Sequence, residues 1–211
     1  MPQEKQKVLL LAGPSFSGKT SIIKAAVEER PDLFERFTTN TCRKKRPNEK
    51  DGEDYHFNEF AEFADLIRKN KLFEHNSFLG NGKYYGCSYA ELDKFKESGK
   101  IPIAAVDLEG AKKFMGLTTA GFIDLSRVEP YVFFISVEKN ELVRRLVADN
   151  DEGRRKDTPW EIIDRIVTIK KEVQDESLFD PQFIVKNPKG NFLFTVYDFM
   201  SKSKGLFPQF I

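Results

Sequence analysis

The chain has 211 residues, with 34 Lys and Arg against 33 Asp and Glu for a net charge of +1. One domain accommodates that length. The charge balance offers no basic field for a nucleic-acid backbone or an anionic membrane, and 40% hydrophobic residues, 20 of them Phe, exclude a disordered or low-complexity chain. No apolar run approaches the ~18 residues that span a bilayer, and the N-terminus reads as neither a secretory signal nor a transit peptide. Two cysteines, Cys42 and Cys87, suit a reducing compartment. The expectation is a cytoplasmic protein, monomer or homodimer, with no nucleic-acid or membrane partner.

In chain order, residues 7–12 form a short Leu- and Val-rich strand ending at Gly13, and residues 20–29 carry Ile22, Ile23, Ala26 and Val27 at helical spacing. Residues 37–60 are polar, basic and interrupted by Pro47 and Gly52. A helix over 61–70 and a strand with a turn over 72–82 then complete what reads as an inserted lobe. A second amphipathic helix covers 89–98. Residues 101–106 and 131–137 are continuous apolar runs of strand length, as strands buried on both faces require. Residues 116–128 between them are irregular, with Leu117, Phe122, Ile123 and Leu125 apolar. Helical periodicity returns over 141–148 and 160–173 on either side of a charged segment expected to be mobile. A last strand at 183–185 and a last helix at 192–201 follow. Repeated strand-then-helix units imply a parallel α/β sheet covered on both faces.

Gly13-Pro14-Ser15-Phe16-Ser17-Gly18-Lys19-Thr20 has the spacing of a phosphate-binding loop, Gly, four residues, Gly, Lys, Ser/Thr, between a strand and a helix. Such a loop turns backbone N–H groups and a helix N-terminus toward a triphosphate. Lys19 adds a point charge and Thr20 a hydroxyl for Mg²⁺. ATP contacts are expected from Gly13 through Thr20 and from Ser21. The motif leaves the phosphate acceptor open. In the next segment Arg43, Arg46 and Tyr55 have the chemistry to surround a second, smaller anion, two guanidinium forks and a phenol.

Six segments together resemble guanylate kinase, in that family's order over about residues 7–175. They are the phosphate loop, Thr41-Cys42-Arg43-Lys44-Lys45-Arg46-Pro47 with Asp51-Gly52-Glu53-Asp54-Tyr55-His56-Phe57, Leu72-Phe73-Glu74, Tyr84-Tyr85-Gly86, Val106-Asp107-Leu108-Glu109-Gly110, and Glu141-Leu142-Val143-Arg144-Arg145-Leu146. The resemblance implies a three-layer α/β/α P-loop kinase with a central parallel sheet of about five strands, plus an inserted GMP-binding lobe and a lid. As a single domain over 1–211, its core would lie at about 1–36, 100–147 and 161–211, the lobe at about 37–99 and the lid at about 148–160. It implies ligands for the GMP phosphate at Arg43, Arg46, Tyr55 and Tyr85, with a hydroxyl from Thr39. Glu74 would accept from guanine N1–H and the 2-amino group, with Cys87, Ser88 and Asp107 beside the base. Catalytic phosphate contacts are implied at Lys19, Arg43, Arg145, Arg155 and Arg165, an ATP contact at Asn187, and Mg²⁺ at Thr20 and Asp107.

The chain departs from the family pattern in four places. Ala105 stands where a second carboxylate is usual, and Cys87, a weak donor, stands where a hydroxyl contacts guanine O6. The turn at 80–83 is about two residues longer, which loosens the register of Tyr85 and Cys87. The lid is also longer, with Arg154 and Arg155 as alternatives. Arg145 alone reads equally as an ion pair with Glu141 at i, i+4, and His56 and His75 read as structural. The implied activity is transfer of the γ-phosphate of ATP to GMP, and to dGMP. The alternatives are a non-catalytic relative that binds a phosphorylated or acidic partner, or a P-loop kinase with another acceptor.

Overall fold

The structure, a computed structural model, describes residues 4–78 and 83–207. Its elements run β1 (Gln6–Ala12), α1 (Lys19–Glu29), β2 (Phe34–Arg36), β3 (Asn40–Thr41), β4 (His56–Phe57), α2 (Phe60–Arg68), β5 (Leu72–Phe78), β6 (Lys83–Ser88), α3 (Tyr89–Ser98), β7 (Ile101–Ala105), α4 (Leu108–Phe114), β8 (Phe122–Ile123), β9 (Val128–Ser136), α5 (Lys139–Asp151), α6 (Pro159–Glu172), β10 (Ile184–Lys186) and α7 (Phe192–Lys204). Two 3-10 turns, Val173–Leu178 and Pro181–Phe183, precede β10. Five strands form a central parallel sheet in the order β10-β9-β1-β7-β2, and a second sheet has the order β4-β3-β6-β5-β8. By contacts the chain divides into two compact units, one comprising residues up to Leu10 with Phe34–Tyr131, the other Leu11–Leu33 with the chain from Val132 onward.

The first unit holds the second sheet. Its spine is the antiparallel pair β5 and β6, with Glu74 opposite Cys87 and His75 opposite Gly86 after a register shift between Leu72 and Glu74. That ladder settles the register that the long turn had loosened, while the turn at 79–82 itself lies outside the described residues. Gly86 sits where an added Cβ would approach Leu72 Cδ1 to 2.9 Å and Glu74 O to 3.0 Å. A side chain there would force the two strands apart. The irregular stretch after α4 supplies β8, an edge strand paired antiparallel to β5 at Glu74 with Ile123 and His75 with Phe122. Periodicity could not reveal a two-residue strand. Helix starts are capped as short polar side chains dictate: Ser88 Oγ accepts from Glu91 N, and Asp107 from Gly110 N. Gly99, at φ 67, closes α3 in the left-handed conformation that glycine adopts without strain.

The second unit carries the phosphate loop and α1, α5, α6 and α7. Ile22, Ile23 and Ala26 bury one stripe of α1. Val137, Leu142, Leu146 and Ile169 form a small core against which Phe16, Ile162, Ile166 and Val173 pack. Four aliphatic side chains of that size, fully buried, contribute on the order of 2 kcal/mol each, enough to hold α5 and α6 together. Thr158 and Glu161 form a capping box at the start of α6, with Pro159 in its first turn. The segment expected to be mobile is laced by Asp157 N donating to Asn150 Oδ1 at 2.9 Å and Arg155 N to Asp149 O at 3.0 Å, and its first residues continue α5 to Asp151. Residues 195–197, which tolerate β structure by composition, are helical in α7.

Candidate functional site

In the second unit, the chain leaves the sheet at Gly13 (φ 139) and enters α1 through Gly18 (φ 92). Only glycine reaches such dihedrals freely. An added Cβ at Gly13 would lie 2.7 Å from Ile135 O, and one at Gly18 would lie 2.6 Å from Asn187 Nδ2. Asn187 is buried, donates from Nδ2 to Ser17 O at 2.8 Å, and lies with Oδ1 at 3.2 Å from the Thr195 hydroxyl. Lys19 Nζ donates to the Gly13 and Pro14 carbonyls at 2.8 and 2.9 Å. Phe16 holds φ 68, unusual for a side chain of its bulk. Its ring lies under the Arg155 guanidinium at 4.8 Å, and its carbonyl accepts from Arg145 at 3.2 Å. Glu172, which the sequence did not single out, accepts from Ser15 N at 3.2 Å.

Arg145 makes the ion pair with Glu141 and also reaches the backbone of the phosphate loop. Its Nε donates to Glu141 Oε1 at 2.8 Å while its two terminal nitrogens reach Phe16 O and Asn187 O. Arg144 shares Glu141, and the hydrogen bonds from Arg144 and Arg145 hold that carboxyl down at about 2. Arg154 is half-exposed and pairs with Asp149 and Glu152, whereas Arg155 is mostly covered and faces the loop. Arg165 pairs with Asp157 at 2.9 Å. A cavity of about 680 Å³ opens here, with Phe16, Lys19, Arg145, Arg155, Asn187 and Phe192 among its lining. Thr20 and Ser21 are exposed at its edge.

In the first unit, Arg43, Arg46, Tyr55 and Tyr85 come together. The Arg43 guanidinium lies 4.8 Å from the Tyr55 ring and 5.4 Å from Phe57, and the Tyr55 and Tyr85 rings are 5.9 Å apart. Arg43 makes a two-pronged pair with Glu49 at 2.7 and 2.5 Å, and Arg46 donates its backbone N–H to Glu49 at 2.8 Å. Burial works against both charges, but the fork wins: it raises Arg43 and lowers Glu49 from their ordinary values. Nothing in the sequence marked Glu49, one acid among many in a polar loop. Thr39 is buried just before β3, its carbonyl accepting from His56 N at 2.9 Å.

The second cluster in this unit centres on Glu74, 4% exposed on β5. Lys113 Nζ donates to Glu74 Oε1 at 2.7 Å and to His75 O at 2.5 Å. Across the ladder, the Cys87 thiol is fully covered and hydrogen-bonded to Glu74, while Asp107 stands nearby as a like charge. Burial raises the Glu74 carboxyl to about 7 against the pull of Lys113, and burial also pushes the Cys87 thiol up. Ser88 spends its hydroxyl on the α3 cap and Asp107 one oxygen on the α4 cap, at 2.6 Å from Gly110 N. Lys113 is not marked by the sequence, because Lys112-Lys113 reads as a solvated pair. The available signal was its helical spacing from Gly110, three residues earlier on the buried face of α4. His75 stacks on Phe122 and His56 binds Glu91 at 3.2 Å, both structural placements.

Among the described residues, no three His, Cys, Asp or Glu side chains converge as a metal site. Mg²⁺ does not require such a cage, since it keeps several waters and binds through one or two protein oxygens plus substrate phosphates. An exposed Thr20 hydroxyl at the mouth of the loop fits that mode. No helix among the described residues is long and apolar enough to cross a membrane.

A parallel sheet, a glycine-bounded loop and a lysine at the head of the following helix define a phosphate-loop nucleotide-binding protein of the α/β class. The family model described as Guanylate kinase matches residues 5–201. The chain is 31% identical over 166 residues to a guanylate kinase of Lactobacillus johnsonii, covering 79% of this chain and 74% of that protein. It is also 31% identical over 170 residues to one of Chlamydia felis, covering 79% and 78%. The crystal structure of guanylate kinase from Anaplasma phagocytophilum has the same fold, with a TM-score of 0.64 at 19% identity over 97% of this chain and 87% of that one. The chain belongs to the guanylate kinase family.

Proposed function

We propose that the chain transfers the γ-phosphate of ATP to GMP, and to dGMP, giving ADP and GDP. The observation that carries this reading is the pairing of an intact phosphate loop with a separate cluster in which Arg43 and Arg46 bind the carboxylate of Glu49 while Tyr55 and Tyr85 gather beside the Arg43 guanidinium, a set of groups suited to an anion such as a monophosphate. Phosphoryl transfer asks mainly for alignment and for neutralisation of spreading charge. In this reading Gly13 to Ser21 wrap the triphosphate, Lys19 leaves the Gly13 and Pro14 carbonyls for its oxygens, and the cavity bounded by Asn187 and Phe192 takes the nucleoside. Arg145, Arg155 and Arg165 exchange carboxylates for phosphate as residues 148–160 close over it. Thr20, with Asp107, would hold Mg²⁺, which when bound shields charge on the phosphates. Arg43, Arg46, Tyr55, Tyr85 and Thr39 would hold the acceptor phosphate, and Glu74, with Cys87, Ser88 and Asp107 around it, the guanine edge. No general base is needed beyond the ionised acceptor phosphate.

The test is ADP production by the purified chain with Mg-ATP and, separately, GMP, dGMP, AMP, CMP, UMP and dTMP, with Lys19→Ala as the control for contaminating kinase. Activity confined to GMP and dGMP is the expected result. Tight binding of ATP and GMP without turnover would leave the chain a binding module.

A further inference from the structure

Lys113 is the most deeply buried ammonium described in the molecule, its side chain 1% exposed, and it lies against the carboxylate to which base selection is assigned above. Its three N–H groups have two acceptors among the described residues, Glu74 Oε1 and His75 O. The place is built around it. Gly121, at φ 80, passes so close that an added Cβ would stand 2.9 Å from both Lys113 Nζ and His75 O. β8 then seals the edge of β5 immediately afterwards. A buried charge with one N–H left over, in a pocket shaped to admit it, is costly unless the third donor is also used.

Guanine presents a contiguous edge of N1–H and 2-amino donors with the 6-oxo acceptor beside N1. A carboxylate that takes the two donors therefore leaves the oxo group next to whatever already binds its N1-side oxygen. Cys87, across the ladder, is a weak donor and is turned to Glu74. We propose that Lys113 is a specificity-determining residue of the acceptor site, bracing the Glu74 carboxylate and giving its remaining N–H to the 6-oxo group of the purine. Adenine, with a 6-amino donor at that place and no N1–H, meets a cation and is refused. The inference rests on the acceptor assignment made above and extends it to an atom.

The experiment compares GMP with 6-thio-GMP, whose sulfur is a poor acceptor, in the steady-state kinase assay on the full chain. Wild type favours GMP in kcat/KM by roughly 10- to 100-fold, as for a hydrogen bond from a charged donor. Lys113→Met loses that factor with GMP, chiefly in KM, on top of a loss shared with 6-thio-GMP that comes from the unbraced Glu74, and so collapses the ratio. Lys113→Arg retains part of it. An equal loss with both substrates, or tighter GMP binding by Lys113→Met, overturns the proposal, the first because the role is then only structural and the second because Lys113 then competes with the base. Should Lys113→Met fail to fold, the wild-type ratio decides alone: no preference for the oxo over the thio substrate sinks the inference while leaving the kinase reading intact. A wild-type chain that phosphorylates no purine monophosphate overturns the kinase reading and this inference with it.

Discussion

The two units meet polarity in different ways. In the unit that carries the phosphate loop, the polar side chains that brace that loop reach main chain: Lys19 to the Gly13 and Pro14 carbonyls, Asn187 to Ser17 O, and Arg145, which also pairs with Glu141, to Phe16 O and Asn187 O. In the other unit the two clusters are built on opposed side chains: Arg43 with Glu49, and Lys113 and Cys87 with Glu74. A backbone cradle depends on dihedrals that a few glycines secure, and it tolerates change around it. A cluster of opposed side chains depends on each partner, because removing one leaves the other buried and uncompensated.

The strongest break of this contrast is Lys19→Ala, which should lower kcat by at least about 100-fold by removing charge from the transferring phosphoryl group. GMP binding measured by calorimetry stays within about twofold, because the charge removed serves the donor phosphates; a parallel loss of GMP affinity would overturn the assignment of Lys19 to the donor. Next is Arg43→Ala, which strands Glu49 and should weaken GMP binding by about 30- to 100-fold while the affinity for ATP in the same titration is unchanged.

Acidity sharpens the comparison further. Glu74, raised to about 7 by burial, must be ionised to accept two N–H donors, so GMP affinity should fall about tenfold for each pH unit below about 7. Glu74→Gln removes that limb and so separates it from titration of the substrate phosphate. ATP binding should show no such limb. The stability sign runs the other way. Folded Glu74 holds its proton more firmly than the ordinary value of 4.5, so its contribution to stability is full below 4.5 and is lost as pH rises through about 7; urea midpoints across that range check it. The smallest effect expected is that of Asn187→Ala, which removes a buried amide from Ser17 O and should cost about 1 to 2 kcal/mol. It would raise the Kd for ATP several-fold and leave GMP binding alone.

The same contrast explains which parts of the fold and site are legible in the sequence. The phosphate loop is contiguous, and its chemistry follows from spacing, so Gly13 to Thr20 and the helix behind them were legible at once. The continuous apolar runs of β1, β7 and β9 gave the parallel sheet. Of the proposed acceptor cluster, residue chemistry alone points to Arg43, Arg46 and Tyr55, which sit within thirteen positions of one another, and Tyr85 and Thr39 enter through the family resemblance. Glu49 and Lys113 were not legible, because a charge in a polar loop and a lysine in a Lys-Lys pair are by default solvated. Their partners are chosen by β-ladder register and by the inward face of α4. Short β2, β3, β4 and β8 were missed because two or three residues carry no periodicity, and β8 is a strand only because β5 offers it an edge.

If the Arg43 cluster is the acceptor site, as proposed above, Glu49 has a consequence for traffic there. Since it already closes the Arg43 fork and takes the Arg46 N–H, a phosphate that docks there performs an exchange of anions rather than a capture by naked cations. The resident carboxylate is tethered, with an effective concentration far above that of a free ion, so chloride and single carboxylates are expected to compete poorly with it. An anion with more oxygens and more charge is the expected displacer. Once displaced, Glu49 is left as an unpaired acid at the end of the 43–49 loop. The affinity for the second substrate is therefore set as much by what the loop must give up as by what the arginines gain, and Glu49→Gln would lower the threshold for every anion at once.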